Sequence, residues 1–520
     1  MNFKIGLDLG TETLKVCFAA IGESGKAVYG KADSLSELPA MGYFELESGK
    51  WIFGEKIFIG ASERYETLVR IKELLKLLDD DSTAECYHSG NTFKKFGAEL
   101  SRSLSGHYEP DFTASNTPKS VAEKFFKYAV EVYIKSAFDK MPLKETADRL
   151  TKKCVLTFPQ NAGDRYKREL VRLAEFAGLE VEKCLSEPTA VGLYAAELNR
   201  ERYKDTSALV VDIGESRVSV AEIYYNYVGF PETRRYVAGK NVGGKDYDEA
   251  VKNYVISECG IVDEMPAFQK FSLNRNIKIA KEFLQHIDPA VVECDSLAVN
   301  HVNLSRATFA RLTDNITAEI AGAVKESLVK FAAASRIILS GGCCQSAALQ
   351  LAVKQATVMP SRVTAVDTLG RDSKLFDMGA VYAAAAGAAL FSTGLYKTID
   401  VTARSYGVEV FDSSKQQDVL SVIIPKNTPL PAKVTRRYST YSSTQRVVIS
   451  VHSTLAETNV PIGRETALLC RESIDLRRGV YKGFPLEVTI TVDENGIGRA
   501  KIAAGGVTFS GASFEVIKKS

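Results

Sequence analysis

The sequence predicts an α/β fold built from two related halves, followed by a separate all-β sandwich. Three observations carry this reading. A strand–Asp–x–Gly hairpin pattern occurs twice, strand and helix signals alternate over roughly the first 395 residues, and short β-branched runs take over beyond Val401. At ~150 residues per domain, 520 residues are too many for one core.

The first hairpin lies in residues 5–16, IGLDLGTETLKV, and its echo in residues 209–220, LVVDIGESRVSV. Each reads as a strand, a Gly-containing turn and a second strand. Asp8 and Asp212 occupy equivalent places 204 residues apart. An ionised Asp ending a buried strand is costly without a partner, so a duplicated one points to a shared ligand, such as a hydrated metal ion with phosphates. Thr117 reads as an N-cap with Pro118 at the first helical position, and Val121, Phe125, Tyr128 and Val132 follow at helical spacing. A buried strand, Cys154 to Phe158, precedes a helix from Asp164, in which Tyr166, Leu170, Leu173 and Ala177 keep the same period until Gly178. After Ala389 the character changes. The runs Val422–Ile424, Val447–Val451 and Leu486–Val492 are separated by turn signals, which predicts a sandwich of about 115 residues.

Composition narrows the class. Hydrophobic residues make up 45% and charged residues 25%, as in soluble globular chains. Lys plus Arg exceeds Asp plus Glu by only 2, which argues against a nucleic-acid partner. Nine scattered cysteines without a C-x-x-C pair, and five histidines, predict free thiols and a reducing, cytoplasmic setting. Asp8 interrupts the first apolar run, so no signal peptide is expected. The most apolar later run, Val381 to Phe391, is far shorter than the ~20 residues of a membrane span.

A longer stretch is more specific. Residues 155–196 contain Phe158-Pro159, Ala177-Gly178-Leu179-Glu180-Val181 and Glu187-Pro188-Thr189-Ala190. Further on come Gly243-Gly244-Lys245-Asp246-Tyr247-Asp248, Leu339-Ser340-Gly341-Gly342, Asp377 before an Ala-rich helix, and Ile424-Pro425-Lys426-Asn427-Thr428-Pro429-Leu430-Pro431. In this order they resemble the seventy-kilodalton heat-shock (DnaK-like) chaperones of the actin-like ATPase superfamily, over nearly the whole chain. The resemblance implies an actin-like two-lobed nucleotide-binding domain of duplicated ribonuclease-H-like halves (1–395), a linker (396–403) and a β-sandwich peptide-binding domain (404–520). It implies ATP/ADP and Mg2+ as ligands, unfolded or extended polypeptide as substrate, and J-domain and nucleotide-exchange co-chaperones as partners. Set against that family, the chain ends at Ser520 with no room for a helical lid.

The resemblance also assigns roles. Asp8 and Asp212 would organise magnesium-bound waters, Lys72 would stabilise charge at the γ-phosphate, and Glu187 would position the attacking water, a division of labour suited to phosphoryl transfer. Gly10, Thr11, Glu12, Thr13 and Gly214 would form phosphate hairpins, with Gly243, Gly244, Lys281, Gly341, Gly342, Gln345 and Asp377 around the remainder of the nucleotide. Taken alone, Lys72 reads as a solvated face residue, and Glu187 as a charge favoured by a helix N-terminus. Departures stand beside the matches. Glu215 and Arg217 replace a glycine and a threonine of the second phosphate loop, Ser219 replaces an aspartate, and Glu12 replaces a small hydroxyl residue. Glu282 and Gln345 stand where the family stacks arginines on adenine, a loss of ~1 kcal/mol or more each. Cys343 and Cys344 read as ordinary buried thiols.

Pro159 and Lys167 match the family's coupling switch. The linker, Tyr396-Lys397-Thr398-Ile399-Asp400, lacks the family's leucines, and its lysine predicts reduced burial between lobes. In the sandwich, Val447, Ile449 and Val451 share one strand face. By resemblance that face lines a peptide groove, with Phe411 and Tyr438 near its rim; alternation alone leaves plain sandwich core open. The leading expectation is an ATP-dependent chaperone. The alternative is a nucleotide-sensing or non-hydrolysing scaffold that binds a partner without turnover; an actin-like filament former and a sugar kinase fit the motifs less well.

Overall fold

The computed structural model describes residues 1–32, 37–45, 50–54, 67–76, 117–142, 144–199, 203–260, 265, 267–294, 299–331, 334–357, 360–365, 379–504 and 507–513. The repeated hairpin is the seed of a repeated sheet. The first sheet runs in the order Ala27–Gly30, Thr13–Ile21, Asn2–Leu9, Arg149–Phe158, Glu180–Ser186, with Glu37–Pro39 added beside Thr13–Ile21. The second runs Pro231–Lys240, Val218–Tyr225, Thr206–Ile213, Arg336–Ser340, Val363–Ala365. In both, three strands form an antiparallel meander and two later strands join parallel to the hairpin's first strand. Because the side-chain period in a strand is two, matching registers bring Asp8 and Asp212 to equivalent sheet ends.

Two helices made largely of small residues, Glu187–Leu198 and Gly379–Ser392, share one hydrophobic cluster with residues of both sheets. Both are buried on nearly all sides, so neither shows the one-sided pattern of a surface helix. Their approach is backbone to backbone. A Cβ on Gly387 would lie 1.8 Å from the carbonyl oxygen of Ala190, and one on Gly6 would lie 2.2 Å from that of Ala385. Only glycine fits at either position.

The helix expected from Thr117 forms as Pro118–Tyr128, with the Thr117 hydroxyl accepting the Ser120 amide at 3.2 Å. Its predicted stripe fails at Val132, which is 51% exposed. The cause is a π-helical stretch, Ala129–Ile134, which rotates later residues and buries Tyr133 and Ile134 instead. The helix Asp164–Phe176 buries Tyr166, Leu170 and Leu173 as their spacing requires.

The C-terminal sandwich has one sheet ordered Val460–Pro461, Gln417–Ile424, Ser405–Asp412, Thr444–Thr454, Thr466–Val480, and a second ordered Ala432–Ser439, Pro485–Val492, Gly498–Ala504, Val507–Ser513. Val447, Ile449 and Val451 are buried in one cluster with Val488, Ile490 and Ile502, the arrangement of plain sandwich core that their alternation had left open. The alternation correctly put them on one face, and that face is the inner one. Val448, which points the other way, is exposed. Phe411 is exposed and packs edge-on against Tyr441, while Tyr438 is half-buried with its hydroxyl 3.0 Å from that of Ser421.

The linker segment differs from expectation too. Tyr396, Asp400, Val401 and Thr402 are buried, and Lys397 satisfies its charge by pointing outward. Asp400 accepts hydrogen bonds from the Ser186 amide (3.2 Å), the Val401 amide (2.8 Å) and the Tyr236 hydroxyl. The Tyr236 amide in turn donates to Asn427 Oδ1 at 2.8 Å. Asp164, buried at the start of its helix, accepts from the Tyr406 hydroxyl (3.2 Å) and the Gly498 amide (3.3 Å). Burial pushes the Asp164 carboxyl up, against the pull of Lys167 and Arg168. Lys167 Nζ donates to the Gly496 carbonyl at 3.1 Å and lies 4.4 Å from the centre of the Phe158 ring. Burial draws its ammonium down, while Asp164 and Asp400 raise it. The sandwich is thus held to the α/β part by buried polar contacts, which are expensive to leave unmade. Among the described residues no helix is long and apolar enough to cross a membrane.

Candidate functional site

The two sheets present their carboxylates in the same manner. Asp8 Oδ1 accepts from the Thr157 hydroxyl at 2.7 Å, and Asp212 Oδ1 accepts from the Ser340 hydroxyl at 2.7 Å. In each case the donor sits on the parallel neighbour of the hairpin's first strand. The role of these two hydroxyls escaped the sequence reading; a hydroxyl near the end of each apolar parallel strand was the available signal. Lys15 Nζ lies 3.6 Å from Asp8 Oδ2, across the hairpin.

Between the halves, Lys72 and Glu187 form a buried ion pair, Nζ to Oε1 3.2 Å. Glu187 opens its helix, and the preceding Ser186 caps it by accepting the Thr189 amide at 3.3 Å. Burial by itself would draw the Lys72 ammonium down, but Glu187, Asp8 and Asp212 together hold it above its ordinary range. Asp212 is pushed up to about 6, by burial first and then by the charges of Glu187 and Asp8. Asp8, Glu187 and Asp212 thus face the buried Lys72, with Lys15 beside Asp8. Among the described residues no three His, Cys, Asp or Glu side chains stand close enough together to hold a metal ion.

The hairpin turns meet: the hydroxyls of Thr11 and Ser216 are 3.2 Å apart. In the first turn the Gly10 amide donates to the Thr13 carbonyl, 2.9 Å, and Glu12 turns away to pair with Arg70 at 2.8 Å. That pairing removes the repulsion its charge would otherwise bring. The second turn departs further. Gly214 accepts the Gly244 amide at 3.1 Å, Glu215 accepts the Lys245 amide at 2.9 Å through its carbonyl, and Asp246 accepts the Gly243 amide at 2.7 Å. The Glu215 carboxylate lies so close over Gly244 that a Cβ there would be 2.4 Å from Oε2. Its carboxyl is pushed up to about 7, by burial first and then by Asp248 and Glu12, against the pull of Lys281 and Lys278.

Lys281 is tied to Asp248 at 2.5 Å and donates to the Gly244 carbonyl at 3.3 Å. Gly341 donates its amide to Ala380, and Cys343 Sγ lies 3.4 Å from the Gly214 carbonyl. Cys344 is fully buried, whereas Cys343 and Gln345 are half-buried. Asp377 lies outside the described residues. The residues thus divide. Asp8, Lys72, Glu187 and Asp212 fit a magnesium-bound triphosphate. The cradle at Gly243 and Gly244 fits it poorly while Glu215 is charged. Sequence reasoning noted Asp400 only as part of the linker and did not foresee that its carboxylate holds the amide of the residue before Glu187.

Comparison with known proteins agrees with this architecture. A chaperone protein HscA homolog of Rickettsia bellii (strain RML369-C) is 27% identical over 382 residues, covering 71% of this chain and 56% of that protein. The match thus spans little more than half the length of that relative. The family model described as Hsp70 protein matches residues 120–508, well over half of the chain and running from the helix after Thr117 into the sandwich. With the duplicated sheets, the paired aspartates and the appended sandwich, the chain belongs to the Hsp70 family.

Proposed function

We propose that the protein is an ATP-dependent chaperone that binds and hydrolyses ATP with Mg2+ in the cleft between the two halves and holds extended, apolar polypeptide segments on its β-sandwich. The observation that carries this reading is the buried Lys72 facing Glu187, Asp8 and Asp212. Magnesium, when bound to the triphosphate, neutralises charge that the three carboxylates would otherwise repel. Asp8 and Asp212 are fixed by Thr157 and Ser340 to accept from water. Glu187 orients the attacking water, and Lys72 supplies positive charge where it develops. Peptide binding falls to the sandwich, where the exposed rings of Phe411 and Tyr441 pack edge-on and offer apolar surface to an extended chain. J-domain and nucleotide-exchange proteins are the expected partners.

Calorimetry with ATP and ADP in magnesium, followed by turnover of wild type and Glu187→Gln, tests the reading. Binding by both proteins and turnover by wild type alone is expected, with a loss of about 10²–10³-fold in the variant. No binding at millimolar nucleotide would remove the reading.

Glu215 favours a second reading, a nucleotide-binding scaffold without turnover, and makes a separate prediction. The charge of Glu215 opposes a phosphate at Gly244, and its carboxyl titrates at about 7. Nucleotide affinity should therefore rise as pH falls from 8 to 6. Glu215→Gly should bind more tightly at pH 8, by about tenfold for ~1.4 kcal/mol of relieved repulsion, and lose that pH dependence. The sign for stability is the same. A carboxyl raised on folding favours the fold at low pH, and that contribution is lost as pH rises through about 7.

A further inference from the structure

Two of the nine cysteines, 35 positions apart in the chain, meet inside the second half. Cys259 Sγ and Cys294 Sγ lie 3.8 Å from each other, and both thiols are buried in one apolar cluster. Cys259 closes the helix Gly244–Glu258, its amide donating to the Val255 carbonyl at 2.9 Å. Cys294 follows the strand Ala290–Glu293, and its amide donates at 2.9 Å to the carbonyl of Asn300, just before the paired strand His301–Leu304.

The helix that Cys259 closes is the one that opens at Gly243 and Gly244. The same cluster holds Val251 and Val255 of that helix, Ile277 of the helix Ala267–Phe283, and Val292 of the hairpin. Lys281, on the second helix, ties back to Asp248 and to the Gly244 carbonyl. A covalent link between the two sulfurs would therefore staple the far end of the unit that carries the Gly244 cradle.

The gap is small enough for side chains to close. A disulfide needs about 2.0 Å between sulfurs, so the pair stands about 1.8 Å from bonding. Rotation about χ1 at either residue sweeps a sulfur through a longer arc than this. Access is unequal. Cys294 is 1% exposed and Cys259 6%, and Cys259 adjoins the exposed Gly260, whose φ of +61° takes the chain out of the helix.

We propose that Cys259 and Cys294 form a reversible disulfide when the protein meets a peroxide, and that this link staples the helix carrying Gly244 to the hairpin. The Cys259 thiolate attacks one oxygen of hydrogen peroxide; the O–O bond breaks, a sulfenic acid forms, and the departing hydroxide leaves as water with the proton that the thiol gave up. The Cys294 thiol then attacks the Cys259 sulfur, the S–O bond breaks, and the second oxygen leaves as water with the Cys294 proton. Two thiols thus lose two electrons and two protons, and one peroxide is reduced to two waters. A thiol reductant reverses the step by exchange. Disulfides of reducing compartments are typically transient and redox-sensing, which suits a pair that rests as thiols. Formation of the link is independent of the proposed function; its bearing on nucleotide, through Gly244, rests on that reading.

The test uses the full chain, reduced and then exposed to hydrogen peroxide at pH 8, where more thiolate is present to attack. Nucleotide is left out, so the outcome is separate from that of ATP binding. Remaining thiols are alkylated in denaturant, and the peptides are mapped by mass. Wild type should yield two peptides joined through Cys259 and Cys294, lighter by about 2 Da than the two thiol peptides together and released by dithiothreitol. Amide exchange over the last turn of the helix Gly244–Glu258 should slow about tenfold on oxidation. Cys294→Ser should leave Cys259 as the sulfenic acid, trapped by dimedone. Cys259→Ser should leave Cys294 unoxidised, because the buried partner is reached only through Cys259. The proposal is overturned if Cys259 and Cys294 of wild type both remain open to alkylation once half of the other thiols are oxidised. Cross-linking of Cys259 to a different cysteine, or exchange in oxidised wild type as fast as in the reduced protein, would also overturn it.

Discussion

Lys72→Met should lower stability by about 3–5 kcal/mol and reduce ATP turnover by at least ~10²-fold. The ammonium is buried and answers three carboxylates, so removing it leaves Glu187 uncompensated beside Asp8 and Asp212. Methionine fills nearly the same volume, so the loss reports charge and not packing. The double variant Lys72→Met with Glu187→Gln separates the two effects. Neutralising the orphaned partner should recover about half of the lost stability, while turnover stays lost. Urea unfolding and a phosphate-release assay measure both quantities. If the double variant is no more stable than Lys72→Met alone, Lys72 and Glu187 are not energetically coupled and the shared-lysine account is wrong.

Asp400→Ala is the second large effect, expected in docking between the two parts. The substitution orphans the Ser186 and Val401 amides, each worth about 1–3 kcal/mol when buried unpaired, and takes one of several partners from the Tyr236 hydroxyl. Water entering an opened interface compensates part of this, so a net shift of ~3 kcal/mol is expected, or over a hundredfold in the docked-to-undocked ratio. Protease should then cut within residues 396–404, and the Ser186 amide should lose its protection from hydrogen exchange. Asp400→Asn, which keeps one acceptor, should fall between the two. An unchanged cleavage rate in Asp400→Ala would mean that docking rests on the Asp164 contacts instead.

The two hairpins were legible because Asp, Gly and alternation are local signals, and the register then followed. The pairing of Lys72 with Glu187 was not legible, since 115 positions separate them; family resemblance gave each a role at the phosphates and did not give the ion pair between them. Where sequence reasoning stopped short, one rotation or one choice of face was responsible. The π-helical stretch turned Val132 outward, and the inner face of the sandwich claimed Val447, Ile449 and Val451. For the linker, the charge of Lys397 was weighed and the hydrogen-bonding capacity of Asp400 was not. A buried Asp is as strong an anchor as an apolar side chain when three donors await it.

The crossing of Gly387 over the Ala190 carbonyl has a mechanical consequence. The Ala190 carbonyl sits in a notch that only the missing side chain of Gly387 leaves open, and alanines flank that notch on both sides. Such a joint is keyed, because sliding one helix over the other would bring a methyl group against the carbonyl. It also has no tolerance in thickness. Any side chain at position 387 must force the two helices apart, and with them the packing that both share with the two sheets.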